Sequence, residues 1–129
     1  MTGLFQPAGT IYEQIADSME TSILNGNPDE EQRVASVRAS ASELGVNVNT
    51  VVRAYGLLEE RQVLHKERGL GYFVSADARS RIRLRRRQEF FAHIVPQLRT
   101  VLQQLDIPAE ELAHALQHGP DHPSARDAE

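Results

Sequence analysis

Between Ser36 and Gly71 the chain gathers side chains that donate hydrogen bonds or carry positive charge, and few that make or break bonds. Ser36, Arg38, Asn47, Asn49, Thr50 and Arg53 fall in two short runs, and Lys66, Arg68, Gly69, Leu70 and Gly71 close the stretch. A guanidinium presents a planar fork of donors to a guanine edge or a phosphate, and short amides and hydroxyls suit base edges. This is recognition chemistry aimed at a polyanion. No paired acid and base, nucleophile motif or phosphate loop accompanies it, and Gly69-Leu70-Gly71 is too short for a dinucleotide fingerprint. Neither an enzyme nor a cofactor is expected.

Charge agrees once it is counted by region. The whole chain carries -4, yet the segment from Arg33 to Arg87 holds 12 of the 14 Lys+Arg and 5 of the 18 Asp+Glu, a local +7 against -11 elsewhere. A positive field concentrated on one module is what a phosphate-backbone binder needs. A pure protein-interaction module would leave it without purpose. With no Cys in 129 residues, disulfides, thiolate metal sites and cysteine nucleophiles are excluded, which fits a reducing cytoplasm. No signal peptide opens the sequence, and no run approaches about 18 uninterrupted apolar residues, so no membrane association is expected.

The elements that position these residues follow from periodicity and caps. Gly3, Pro7 and Gly9 make residues 1–9 an extended arm with Leu4 and Phe5 free to dock. Ile11, Ile15, Met19 and Ile23 share one helical face, predicting a helix from Ile11 to Leu24 that stops at Asn25-Gly26. After a polar turn at 27–31, Val34 makes a brief extended contact. Ser36 then caps a second helix that buries Val37, Ala41 and Leu44 and ends at Gly45. Asn47 caps a third, with Val51, Tyr55 and Leu58 facing inward. Residues 63–66 and 71–75 are β-favouring runs around a turn at 67–70.

Two crossing helices need a small residue in the first, a residue tolerant of positive φ in the turn, and an apolar anchor in the second. Ala41, Gly45 and Val51 meet these needs, at intervals of four and six residues. A simple helical hairpin also produces that spacing, and a glycine-tipped turn with solvated charges is common by itself. Their succession is what points to a winged helix-turn-helix. The fold class expected is mainly α with a small β-hairpin: a winged helix-turn-helix domain at 10–76, a short all-helical dimerisation region at 77–118, and a disordered tail at 119–129.

Several separated motifs then resemble the GntR family of bacterial transcription regulators. They are Ile11-Tyr12-Glu13-Gln14-Ile15-Ala16, Ser36-Val37-Arg38, Glu43-Leu44-Gly45-Val46, Asn49-Thr50-Val51-Val52-Arg53-Ala54-Tyr55, Leu57-Leu58-Glu59 and Arg68-Gly69-Leu70-Gly71-Tyr72-Phe73-Val74. The short helical C-terminal part is similar to the YtrA-type branch. The resemblance implies that Arg38 contacts base edges or phosphates, and that the tip formed by Arg68, Gly69, Leu70 and Gly71, with Lys66 beside it, approaches a minor groove. Ser36 is suited to anchoring phosphate at a helix N-terminus. Asn47, Asn49 and Thr50 occupy the first turn of a recognition helix, and Arg53, a turn on, holds phosphate. Val48 and Val52 depart from commonly basic positions, Thr10 and Ala35 replace frequent prolines, and Asp29-Glu30-Glu31 replaces a glycine-containing turn. The implied function is a sequence-specific transcriptional regulator, a dimeric repressor on a roughly palindromic site in double-stranded DNA, with no effector identified.

Beyond Asp77 one helix is predicted from Ala78 to Gln104, about 40 Å long and kinked at Pro96. Phe91, Val95, Leu98, Leu102 and Leu105 recur at spacings of 4, 3, 4 and 3, a heptad seam for packing on neighbouring helices or for dimerisation; the latter is favoured because so short an appendage builds no core alone. Arg79, Arg81, Arg83, Arg85, Arg86 and Arg87 form a solvated face or approach phosphates. Pro108 opens a last helix at its first position, edged by Leu112 and Leu116. His114 and His118, with His122 nearby, stand at ligand spacing, the basis of an alternative in which a ligand- or metal-responsive sensor uses the C-terminal helices. With only Glu111 and Asp121 in sequence reach, no metal site is assigned.

Overall fold

The computed structural model describes residues 9–119. Apart from Gly9 and Gly119, the expected arm and tail lie outside the described residues. The chain divides into two compact units, Met1–Gln88 and Glu89–Glu129.

The first unit is built on α1 (Ile11–Leu24), α2 (Val37–Leu44) and α3 (Val48–Glu60), then a hairpin of β1 (Leu64–Glu67) and β2 (Gly71–Val74), then α4 (Ala78–Glu89). Capping residues set the starts. Thr10 forms a capping box with Glu13: Thr10 N–H donates to Glu13 Oε1 at 2.8 Å, and Glu13 N–H donates to Thr10 Oγ1 at 3.3 Å. Bonding to the Thr10 backbone, and then to its side chain, holds the Glu13 carboxyl below its ordinary pKa. Gly45, at φ 68, ends α2 and lets Val46 N–H reach back to the Ala41 carbonyl at 3.1 Å.

The core lies where α1, α2 and α3 cross and where the hairpin closes over them. Val51, Ala54, Tyr55 and Leu58 line the inner face of α3, and Val63, Leu64 and Val74 seal the hairpin base. Tyr55 stacks edge-on against Tyr72 at 5.1 Å, and its hydroxyl donates to the Ala35 carbonyl at 2.7 Å. Burial raises its pKa. The hairpin is antiparallel, pairing Leu64 with Val74 and Glu67 with Gly71. The extended contact expected at Val34 forms along β2: Val34 N–H donates to the Tyr72 carbonyl at 3.0 Å, and Val74 N–H to the Gln32 carbonyl at 2.9 Å.

Two burial expectations are corrected. Leu44 is 50% exposed and Ile11 57% exposed, and they line an open cavity of about 590 Å³ rather than the core; Ile15 and Met19 touch the same cavity but also pack against the core. Besides the expected Ile23, α1 buries Ala16 and Glu20. A carboxylate can replace an apolar residue there because cations meet it. Glu20 is fully buried, paired with Arg85 through both oxygens and also with Arg61 at 3.3 Å and Arg86 at 3.4 Å. Asp17 adds a bond from Arg61 at 3.0 Å. Together with buried Ala78 and Ile82, this cluster packs the start of α4 into the first unit.

The helix predicted from Ala78 to Gln104 with a kink at Pro96 is interrupted just before that proline. Phe90–Ile94 form a π-helical turn, and α5 spans Val95–Gln104. Val95 N–H donates to the Phe90 carbonyl, one residue further back than an α-helix allows. Pro96, which lacks an N–H and crowds the preceding turn, supplies the cause. Helix α6 covers Ala109–His118 with Pro108 at its N-cap, one position earlier than expected, and Glu110 and Glu111 in the first turn. No residue of the π turn, α5 or α6 is buried. No helix among the described residues is long and apolar enough to cross a membrane.

Candidate nucleic-acid interface

Three structures in the first unit present donors outward. At the start of α2, Ser36 Oγ accepts the Ala39 N–H at 3.1 Å, so the serine hydroxyl acts as the cap. The N–H groups of the first turn, with the dipole behind them, suit an anion. Arg38 lies in that turn, exposed and with no hydrogen bond or ion pair among the described residues.

At the start of α3, Asn47 Oδ1 accepts the Asn49 N–H at 2.8 Å, which occupies one end of the Asn47 amide and leaves its NH₂ available. Burial of Val51, Ala54, Tyr55 and Leu58 turns Val48, Asn49, Val52 and Arg53 outward as one strip. Thr50 is half-buried beside it. The Arg53 guanidinium lies 4.3 Å from the centre of the Tyr12 ring, a cation–π contact that fixes it against α1.

The hairpin turn is the third. Arg68, Gly69 and Leu70 form its tip, with φ 76 at Gly69 and 108 at Gly71. Leu70 stands out at 55% exposure. Lys66 lies over the Tyr72 ring at 5.7 Å. Arg33 joins this group, although it belongs to none of the sequence motifs. Its bridge to Phe73 lays it along β2, and its Nε is 3.3 Å from the point a Cβ on Gly71 would occupy. No local sequence signal announces that proximity, because pairing of residues 31–34 with β2 creates it.

The arginines of α4 behave differently. Arg79 bonds Asp29 and Glu30, Arg81 pairs with Asp77 at 2.9 Å, and Arg85 and Arg86 hold Glu20. The Arg79 guanidinium holds the Asp29 carboxyl below its ordinary range, and Arg81 does the same for Asp77. Much of the local +7 is therefore spent on internal pairs. The exposed cations outside those pairs include Arg33, Arg38, Arg53, Lys66 and Arg68.

In the second unit Phe91, Leu105 and Leu116 are 57%, 63% and 76% exposed, and Val95, Leu98, Leu102 and Leu112 are only partly covered. Phe91 falls inside the π turn, so the seam is regular α-helix only from Val95 onward. His114 and His118 stack with ring centres 4.2 Å apart, and His118 Nδ1 bonds the His114 carbonyl at 3.0 Å. Among the described residues no group of three or more His, Cys, Asp or Glu is arranged to hold a metal.

These features have known counterparts. Residues 11–74 match the family model for bacterial regulatory proteins, gntR family. The chain is 36% identical over 70 residues to the HTH-type transcriptional repressor YtrA of Bacillus subtilis (strain 168), covering 54% of each protein. It thus spans about half the length of that curated relative. A solved structure assigned to the GntR family, from Bacteroides thetaiotaomicron, superposes with a TM-score of 0.71 at 35% identity, covering 84% of this chain and 94% of that one. A GntR family transcriptional regulator from Listeria monocytogenes gives 0.69 at 27% identity, covering 88% and 97%. Matched in its helix-turn-helix and wing, and over nearly the whole of a 35% identical relative, the chain belongs to the GntR family of bacterial transcription regulators.

Proposed function

We propose that the chain is a sequence-specific DNA-binding repressor that acts as a homodimer on a roughly palindromic operator in the cytoplasm. The observation that carries this reading is the separation of the arginines. Four of those of α4, Arg79, Arg81, Arg85 and Arg86, are held in ion pairs, whereas Arg38, Arg53, Lys66 and Arg68 stand exposed on α2, on α3 and at the wing. Arg38 reads a base edge or holds a phosphate at the α2 start. Asn47, Asn49 and Thr50 face the major groove. Arg53 holds a phosphate from its seat on Tyr12, and the wing tip, Gly69, Leu70 and Gly71 with Arg33 beside it, follows the minor groove.

Dimerisation is supported by the second unit, whose leucines find no interior of their own. Two-fold pairing through Val95, Leu98, Leu102 and Leu105, with Phe91, Leu112 and Leu116 flanking, would set two α3 helices on half-sites about one DNA turn or a multiple apart. Repression follows from occupancy, and the repressor YtrA among the relatives supports that sense.

Gel shifts of the full chain against promoter fragments across a salt series test the proposal. A few fragments should bind far more tightly than the rest, with affinity falling steeply as salt rises. Arg38→Ala should lose about 1–3 kcal/mol of discrimination between fragments. Uniformly weak binding to every fragment would overturn it.

A further inference from the structure

The outward strip of α3 carries two valines among its polar groups. Val48 is 40% exposed and Val52 46%, whereas Val51 between them is fully buried. Their exposure is therefore set by helix phase and not by a shortage of core positions. They lie one turn apart, about 6 Å along the axis, with Asn49 and Arg53 as their outward neighbours. Two β-branched residues on the first turns of an exposed helix face contribute nothing to the core.

On the proposed reading that α3 enters the major groove, we infer that Val48 and Val52 form an apolar patch selecting thymine through its C5-methyl group. The methyl is the one apolar feature of the major-groove edge, and an apolar side chain is the complement that recognises it. Cytosine presents an amino group at the neighbouring position, and a valine over it would leave that donor desolvated without a partner. About 6 Å corresponds to roughly two base-pair steps of about 3.4 Å, so the valines select thymines within two steps of one another in each half-site. Asn49, next to Val48 on the same outward strip, supplies the adjoining polar contact.

The experiment starts by enriching duplexes bound by the full chain from a random pool. Enriched half-sites should carry thymine at two positions within two steps. Replacing each such thymine with deoxyuridine, which removes only the methyl, should weaken binding about fourfold per site, the equivalent of one buried methylene. In the variant Val48→Ala,Val52→Ala the deoxyuridine penalty should shrink toward unity, while selection at the other positions persists. Both valines are exposed and alanine favours helix, so the variant should fold, and its thermal midpoint verifies this. Unchanged affinity on deoxyuridine substitution, or a full penalty retained by the variant, would overturn the inference while leaving sequence-specific binding intact. If the wild-type chain enriches no sequence at all, the proposed function fails with it.

Discussion

The two units of this chain handle apolar surface in opposite ways. In the first, α1, α3, the hairpin and the start of α4 close around Tyr55, Leu58, Ile23 and Ile82, all fully buried, and even Glu20 is taken inside. In the second, α5 and α6 carry leucines at helical spacing and bury none of them. Among the described residues, the first unit encloses a core and the second leaves its leucines partly or largely exposed. The contrast teaches that helix-forming sequence and core-forming sequence are separate properties. Helices α5 and α6 have the first without the second, since a short helical stretch has too little interior to bury its own stripe.

The largest effect expected from this contrast comes from the seam. Leu98→Asp,Leu102→Asp should convert a dimer to a monomer in sedimentation equilibrium and lower affinity for a two-half-site duplex by about 10²–10⁴-fold, the avidity lost when one partner is removed. The melting of the first unit should persist. A variant that stays monomeric and binds as tightly as the parent, or a parent that is itself monomeric, would break the comparison.

Next in size is the ion cluster of the first unit. Glu20→Ala strips the counter-charge from Arg61, Arg85 and Arg86. Breaking a fully buried pair costs about 3–5 kcal/mol, and because these guanidiniums keep part of their solvent the expected loss is about 2–3 kcal/mol. In calorimetry this lowers the melting of the first unit by roughly 10 °C or more, with the association constant of the seam unchanged.

The smallest effect is a gain. Gln62 sits at φ 61 after α3, where Val63 N–H reaches the Leu58 carbonyl at 2.9 Å in a helix-ending motif that favours glycine. Gln62→Gly should stabilise the first unit by about 0.5–1 kcal/mol, the left-handed strain relieved less the added chain entropy. Urea titration would register it as a higher midpoint with unchanged slope.

Much of the candidate interface was legible because its determinants are local. Thr10, Ser36 and Asn47 start the helices by bonding N–H groups two or three residues on, and Gly45 ends α2 through its own φ. Glu31, Gln62 and Asp106 also adopt positive φ, at 68, 61 and 55, yet none is a glycine that would signal it. Glu31 takes that conformation in the turn before Val34, where its N–H bonds the Val74 carbonyl at 2.8 Å.

By itself the sequence determined the order of helices and strands, the helix-turn-helix with its wing, and the donors that face outward, since each depends on residues a few positions apart. Only the tertiary structure decided that Glu20 is buried, that Arg79, Arg85 and Arg86 of α4 are spent on internal pairs, that Arg33 stands beside the wing, and that Leu44 and Ile11 face a cavity. Those outcomes depend on groups brought together from distant parts of the chain, and neither helical periodicity nor capping carries information about which side chain arrives from there.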